Sequence, residues 1–173
     1  MKSGKSRRLL VYFDGLCEPV NPGGVATYGF VVKDGNSVVC EGKGLVGVGA
    51  RVEVATNNVA EYTALIKALE CLSERGLEGE KLLIRGDSQL VIRQLKGEYK
   101  VRSERIKPLY ERAKELLSRF DAELEWVPRE KNAEADELSR KAFREYLEEF
   151  RDEFERFYGN LTSSRRSRSG RRT

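Results

Sequence analysis

The sequence predicts an α/β domain, a mixed sheet with helices on its faces, with its elements in the order βββαβααβα. Three observations carry this. Residues 9–46 hold three apolar runs of strand character, with a strong hairpin signal between the second and third. From Thr56 onward the apolar period changes from strand-like to helical. After that, short apolar runs alternate with helical stretches to residue 158.

Residues 9–13 (LLVYF) read as a buried strand that runs into a turn at Asp14-Gly15. Residues 25–33 and 37–46 read as two further strands joined by Asp34-Gly35-Asn36. Tyr62, Leu65, Ile66, Leu69 and Leu72 recur at helical spacing up to Gly76, with Thr56 or either following asparagine as the cap. Residues 81–85 (KLLIR) predict a buried strand ending at Gly86-Asp87, and Ser88 can cap a short helix through Leu95. A helix over 104–119 tolerates Pro108 only because it lies near the start. Residues 122–127 (AELEWV) predict the last strand, closed by Pro128. Asn132 is then the expected cap of a long helix whose Phe143, Leu147, Phe150, Phe154 and Phe157 form one stripe, with Gly159 as its stop.

A chain of 173 residues suits one domain. No apolar run reaches the ~18 residues of a membrane span, and residues 1–8 lack the apolar core of a signal peptide. Cys17, Cys40 and Cys71 are odd in number and show no CxxC, so neither a disulfide framework nor a zinc knuckle is expected, and a reducing cytoplasm is the expected location. The absence of histidine removes Ser-His-Asp and Cys-His triads and every His-ligated metal site.

The net charge of +4 is unevenly spread. Residues 1–8 carry four cations and no acid, and residues 159–173 carry five arginines and no acid. Removing these nine from the 32 Lys+Arg leaves 23 against 28 Asp+Glu, a charge of −5 on the body, 9–158. A basic extension (1–8), an acidic domain (9–158) and a Ser/Arg-rich tail (159–173) expected to be disordered are thus the predicted organisation. Basic ends suit a polyanionic partner, and equally suit plain solvation.

Four acids fall near predicted element ends: Asp14 after the first strand, Glu61 early in the first helix, Asp87 after the fourth strand and Asp136 in the first turn of the last helix. If the first and fourth strands are neighbours, the four converge at one edge of the sheet. Carboxylates gathered in one place repel and require cations, and oxygen-only ligands select hard ions such as Mg²⁺ or Mn²⁺. Two such ions about 3.5–4 Å apart can activate a water and stabilise a leaving oxygen in phosphodiester cleavage. Taken singly each acid has an ordinary reading, as a turn residue, a helix-face charge or a group near a helix N-terminus.

Four motifs in order narrow these readings. Tyr12-Phe13-Asp14-Gly15 with Asn21-Pro22-Gly23-Gly24, then Thr56-Asn57-Asn58-Val59-Ala60-Glu61, then Asp87-Ser88-Gln89-Leu90-Val91, then Asn132-Ala133-Glu134-Ala135-Asp136 resembles type 1 ribonuclease H (ribonuclease HI). Trp126-Val127-Pro128-Arg129-Glu130 resembles its archaeal-type branch, and the likeness spans about 9–145. The resemblance implies a ribonuclease H-like fold, a five-stranded mixed sheet flanked by helices. It also implies hydrolysis of the RNA strand of RNA–DNA hybrids by two-metal catalysis, leaving 5′-phosphate and 3′-hydroxyl ends.

Carried over by position, Asp14, Glu61, Asp87 and Asp136 match the metal-binding catalytic acids. Asn57 and Gln89 match residues that contact the strands near the ribose, and Cys17, Asn21 and Asn58 match other groove positions. Asn57 and Asn58 can also be simple caps, Cys17 a packed residue and Asn21-Pro22-Gly23 a simple turn. Where the bacterial pattern has a histidine, this chain has Arg129-Glu130-Lys131, with Arg129 a candidate phosphate clamp. The segment 96–108 is too short for the bacterial basic protrusion, and Lys96, Lys100, Arg102, Arg105 and Lys107 are its candidate substitutes. The expected partner is an RNA–DNA hybrid, with double-stranded RNA a second candidate and no membrane. A monomer is expected, with dimerisation through the last helix the alternative. Two other readings stay open: a non-catalytic module binding hybrid or double-stranded RNA, and a related nuclease acting on double-stranded RNA or DNA. Clustered acids argue against a mere phosphate binder.

Overall fold

The computed structural model describes residues 7–51 and 55–169, with side chains described to 161. Lys2, Lys5 and the five arginines of the tail lie outside the described side chains. The strands are β1 (Arg8–Glu18), β2 (Val25–Asp34), β3 (Ser37–Val48), β4 (Lys81–Gly86) and β5 (Asp121–Trp126). The helices are α1 (Asn57–Glu74), α2 (Gln89–Leu95), α3 (Ile106–Leu117) and α4 (Ala133–Ser169).

The five strands form one sheet in the order β3-β2-β1-β4-β5. The first three strands pair antiparallel, while β4 pairs parallel with both β1 and β5. Leu9, Val11 and Phe13 alternate onto one face and join the core with Tyr62, Leu65, Leu69 and Leu72 of α1 and Leu116 of α3. Thr56 caps α1 by accepting from the Val59 amide at 3.1 Å, and Ser88 caps α2 by accepting from Val91 at 3.2 Å.

Two small residues let helices lie directly on the strands from opposite faces. A Cβ at Gly15 would fall 2.7 Å from the Ala60 Cβ of α1. One at Gly29 would fall 2.6 Å from the Ser139 nitrogen of α4. Thr27 also donates from its hydroxyl to the Ser139 carbonyl at 2.8 Å, which fixes α4 on β2.

Three expectations require correction. Asp14-Gly15 is no turn: β1 runs on to Glu18 because β2 keeps pairing with it to Val25, although β4 leaves it after Tyr12. Cys40 of β3 and Cys71 of α1 form a disulfide, a pairing across the core that spacing 31 residues apart did not signal. The last helix does not stop at Gly159 but continues to Ser169, since a glycine inside a helix costs only about 1 kcal/mol. The aromatic stripe, by contrast, packs largely within the chain, as core rather than partner surface. Phe143, Leu147, Phe150 and Phe154 pack with Val25, Val48, Tyr146 and Tyr158, leaving Phe157 exposed. Among the described residues, no helix is long and apolar enough to cross a membrane.

Candidate active site

Parallel pairing of β1 with β4 ends at Tyr12 and Arg85. Beyond that point β1 continues beside β2 while β4 turns into α2, which opens a crevice at the carboxyl ends of the parallel strands. In open α/β sheets such a switch point is where ligands bind. Asp14 lies on β1 just past the parting, and Asp87 lies just past β4. Glu61 comes from the second turn of α1, held close by the missing side chain at Gly15. Asp136 comes from the first turn of α4, brought near because Asp14 pairs in register with Gly29, the position α4 rests on.

Oxygens of Asp14, Glu61 and Asp87 lie within 4.8 Å of one another. Asp14 and Glu61 are 4% and 2% exposed, so water screens neither. Burial, then the neighbouring Asp87, pushes the Asp14 carboxyl up to about 8. Burial, then Asp14 and Asp87, pushes Glu61 well above the usual carboxylate range. Asp87 is raised by burial, against the opposing charge of Arg129. The Glu61 Oε2 is buried without a hydrogen-bond partner. Three convergent carboxylates, one with an orphaned buried oxygen, form an oxygen-donor set suited to a hard divalent cation.

Asp136 stands outside that triad. It borders Asp14, but its Oδ2 accepts from Arg140 Nε at 3.1 Å, and Arg140 also faces Glu18 at 3.8 Å. The triad opens onto one cleft, and Asp14 borders a second beside it. One, about 220 Å³, is lined by Asp14, Glu61, Asp87, Asn57, Ser88 and Arg129. The other, about 140 Å³, carries Cys17, Glu18, Asp136 and Arg140, and shares Asp14, Asn57 and Arg129 with the first.

The other candidates divide. Asn57 and Arg129 line both clefts, and Cys17 lines the second. Asn21 lines neither, but its Oδ1 accepts from the Asn57 backbone amide at 3.0 Å and so anchors the start of α1. Asn58 lies in the first turn of α1 and Gln89 is exposed at the start of α2, both outside the lining of the two clefts. Lys96, Lys100, Arg102 and Arg105 are exposed between α2 and α3, and Lys107 is exposed in the first turn of α3.

Three supporting residues escaped the sequence reading. Trp126 donates from its indole nitrogen to the Asp87 carbonyl at 3.1 Å, a contact across 39 residues that no local pattern announces. Asn132, expected as a cap, donates its side-chain amide to the Phe13 carbonyl at 2.9 Å, tying the start of α4 beside Asp14. Arg140 did carry a signal, since a cation four residues after Asp136 on a helix is a natural ion pair.

A family model described as reverse transcriptase-like matches residues 13–142. The chain is 40% identical over 139 residues to a protein named ribonuclease HI from Halobacterium salinarum, covering 78% of this chain and 64% of that one. It is 40% identical over 125 residues to a Mycobacterium tuberculosis protein named bifunctional protein Rv2228c, of which it spans 32%. The crystal structure of LC11-RNase H1 in complex with an RNA/DNA hybrid superposes with a TM-score of 0.71 at 35% identity, covering 80% of this chain and 99% of that one.

Proposed function

The chain belongs to the type 1 ribonuclease H family, and we propose that it is an endoribonuclease that hydrolyses the RNA strand of RNA–DNA hybrids, leaving 5′-phosphate and 3′-hydroxyl ends. The observation that carries this is the triad of buried Asp14 and Glu61 with half-buried Asp87, with an orphaned Glu61 oxygen, at the mouth of a cleft. A site built only to bind phosphates would gain nothing from three unpaired carboxylates.

Asp14, Glu61 and Asp87 would hold divalent cations, Mg²⁺ or Mn²⁺, and Asp136 would complete a second position. Ions held there would supply positive charge beside the phosphodiester and lower the pKa of a water, chemistry that needs no histidine. The protein's own groups do the positioning. Asn57, between the two clefts, and Gln89, beside the first, would contact the strands near the ribose, where a 2′-hydroxyl distinguishes RNA. Cys17, Asn21 and Asn58 would border the groove. Arg129, exposed at the lip of both clefts, would take a phosphate. The exposed cations of 96–107 would grip the duplex backbone further out. A monomer is the working form we propose, because most of the α4 aromatic stripe packs within the chain.

The test is cleavage of matched hybrid, double-stranded RNA and double-stranded DNA with Mg²⁺ or Mn²⁺. The hybrid should be cut fastest, and Asp87→Asn should bind it without cutting. Cleavage of none of the three would refute the enzyme reading, while preference for double-stranded RNA would redirect the substrate.

A further inference from the structure

The second half of α4 does not follow the first. Phe150 departs from helical geometry (φ −122°, ψ 32°), and the chain beyond it is turned across the loop that joins β1 to β2. The matched family span ends at residue 142, so this arm lies outside it. Its anchor is Tyr158, 1% exposed, whose hydroxyl donates to the Gly23 carbonyl at 2.8 Å. The Gly49 amide, just past β3, donates to the Gly24 carbonyl at 3.0 Å and so ties down the same loop. Arg51 clamps the arm from the β3 side. Its guanidinium gives Glu153 two parallel hydrogen bonds, of 2.8 and 2.6 Å, and lies 4.6 Å over the Phe150 ring.

The loop so held leads into the candidate site. The Gly23 amide donates to the Ala55 carbonyl at 2.9 Å, next to the cap of α1. Asn21 accepts from the Asn57 amide, and the Cys17 thiol lies 3.3 Å from the Val20 carbonyl and 3.6 Å from that of Ala55. A continuous set of contacts therefore runs from Tyr158 through 19–24 to Asn57.

We propose that residues 143–158 are a brace for this loop, and that Tyr158 is a positioning residue for substrate, acting through Asn21 on the Asn57 side of the two clefts. Asp14 and Asp87 belong instead to β1 and the end of β4, and Glu61, one turn beyond Asn57, is set by the close approach of α1 to Gly15. The brace accordingly governs how the duplex is held rather than the chemistry at the acids. The substrate half of this inference rests on the proposed hybrid cleavage; the structural half does not.

Tyr158→Phe removes one hydroxyl and no packing, so the folded protein can be compared directly. Cys17, the unpaired cysteine, reports on the loop, since its half-buried thiol sits 3.3 Å from the Val20 carbonyl and becomes more accessible as the loop opens. Modification of Cys17 by a thiol reagent, located by mass spectrometry without denaturant, should be roughly two- to tenfold faster in Tyr158→Phe, the factor of one lost hydrogen bond. Glu153→Gln, which weakens the Arg51 clamp, should move it the same way. In cleavage assays both variants should raise KM for the hybrid and leave kcat in place. An unchanged Cys17 rate overturns the brace, and a fall in kcat at constant KM overturns its role in positioning. If the wild-type protein cleaves no hybrid, the function reading fails while the thiol measurement still decides the brace.

Discussion

Glu61 carries the sharpest conflict in the molecule, a carboxylate buried beside two others with one oxygen unsatisfied. Such a group is retained at a cost to stability, and the cost has a sign. Because the folded-state values of Asp14, Glu61 and Asp87 lie above their unfolded ones, the native state holds protons that the unfolded chain has released. Stability of the cation-free protein should then fall as pH rises from about 5 to about 8, the window ending at the Asp14 value. The exposed Glu115, Glu145 and Glu153 are held below the usual range and are already ionised there, so they do not oppose the trend. Thermal melts across this window should show the decline, and Mg²⁺ or Mn²⁺ should raise the midpoint more at pH 8 than at pH 5. A flat profile would mean that the triad is not strained. Glu61→Gln should raise the cation-free midpoint at pH 8 by a few degrees, at roughly 2–4 °C per kcal/mol, while abolishing cleavage. A lowered midpoint would contradict that reading.

At the scale of elements, the site depends on how closely two helices approach the sheet. Gly29→Ala puts a methyl 2.6 Å from the Ser139 backbone and 2.8 Å from the Leu138 side chain, so α4 must lift from β2. Overpacking of this kind costs about 1–3 kcal/mol. Asp136 would move with the helix, so cleavage should fall by more than the loss of stability explains. Activity of the folded variant, measured below its melting temperature, checks this, and full activity would show that α4 need not rest on Gly29. The elements themselves were legible where period and punctuation agreed. The Asp34-Gly35-Asn36 hairpin, the Thr56 and Ser88 caps and the apolar face of α1 follow from local chemistry. The length of β1 did not, because Asp14-Gly15 has the local character of a turn and only pairing with β2 keeps it extended. Nor did the break at Phe150, which answers to contacts with Arg51 and Gly23 rather than to its own sequence.

In the whole molecule, Asp14, Glu61 and Asp87 converge because the topology makes β1 and β4 parallel neighbours and parts them just before the acids. Sequence order and motif supplied the acids, and adjacency of two strands separated by a helix and a hairpin supplied the site. What sequence could not supply were contacts between distant backbones, such as Trp126 on Asp87 and Asn132 on Phe13, which fix the acids without being near them in the chain. The net charge of +4 conceals an acidic body suited to cations between basic ends suited to a polyanion. The central claim is that the triad and its cations cut RNA within a hybrid. The most direct measurement follows both strands of one hybrid, each carrying its own end label, with wild-type protein and Asp14→Asn, with and without a chelator. The account predicts cleavage of the RNA strand alone, by wild type alone, and only with free divalent cation. A cut DNA strand, or RNA cleavage that survives chelation or Asp14→Asn, would contradict it.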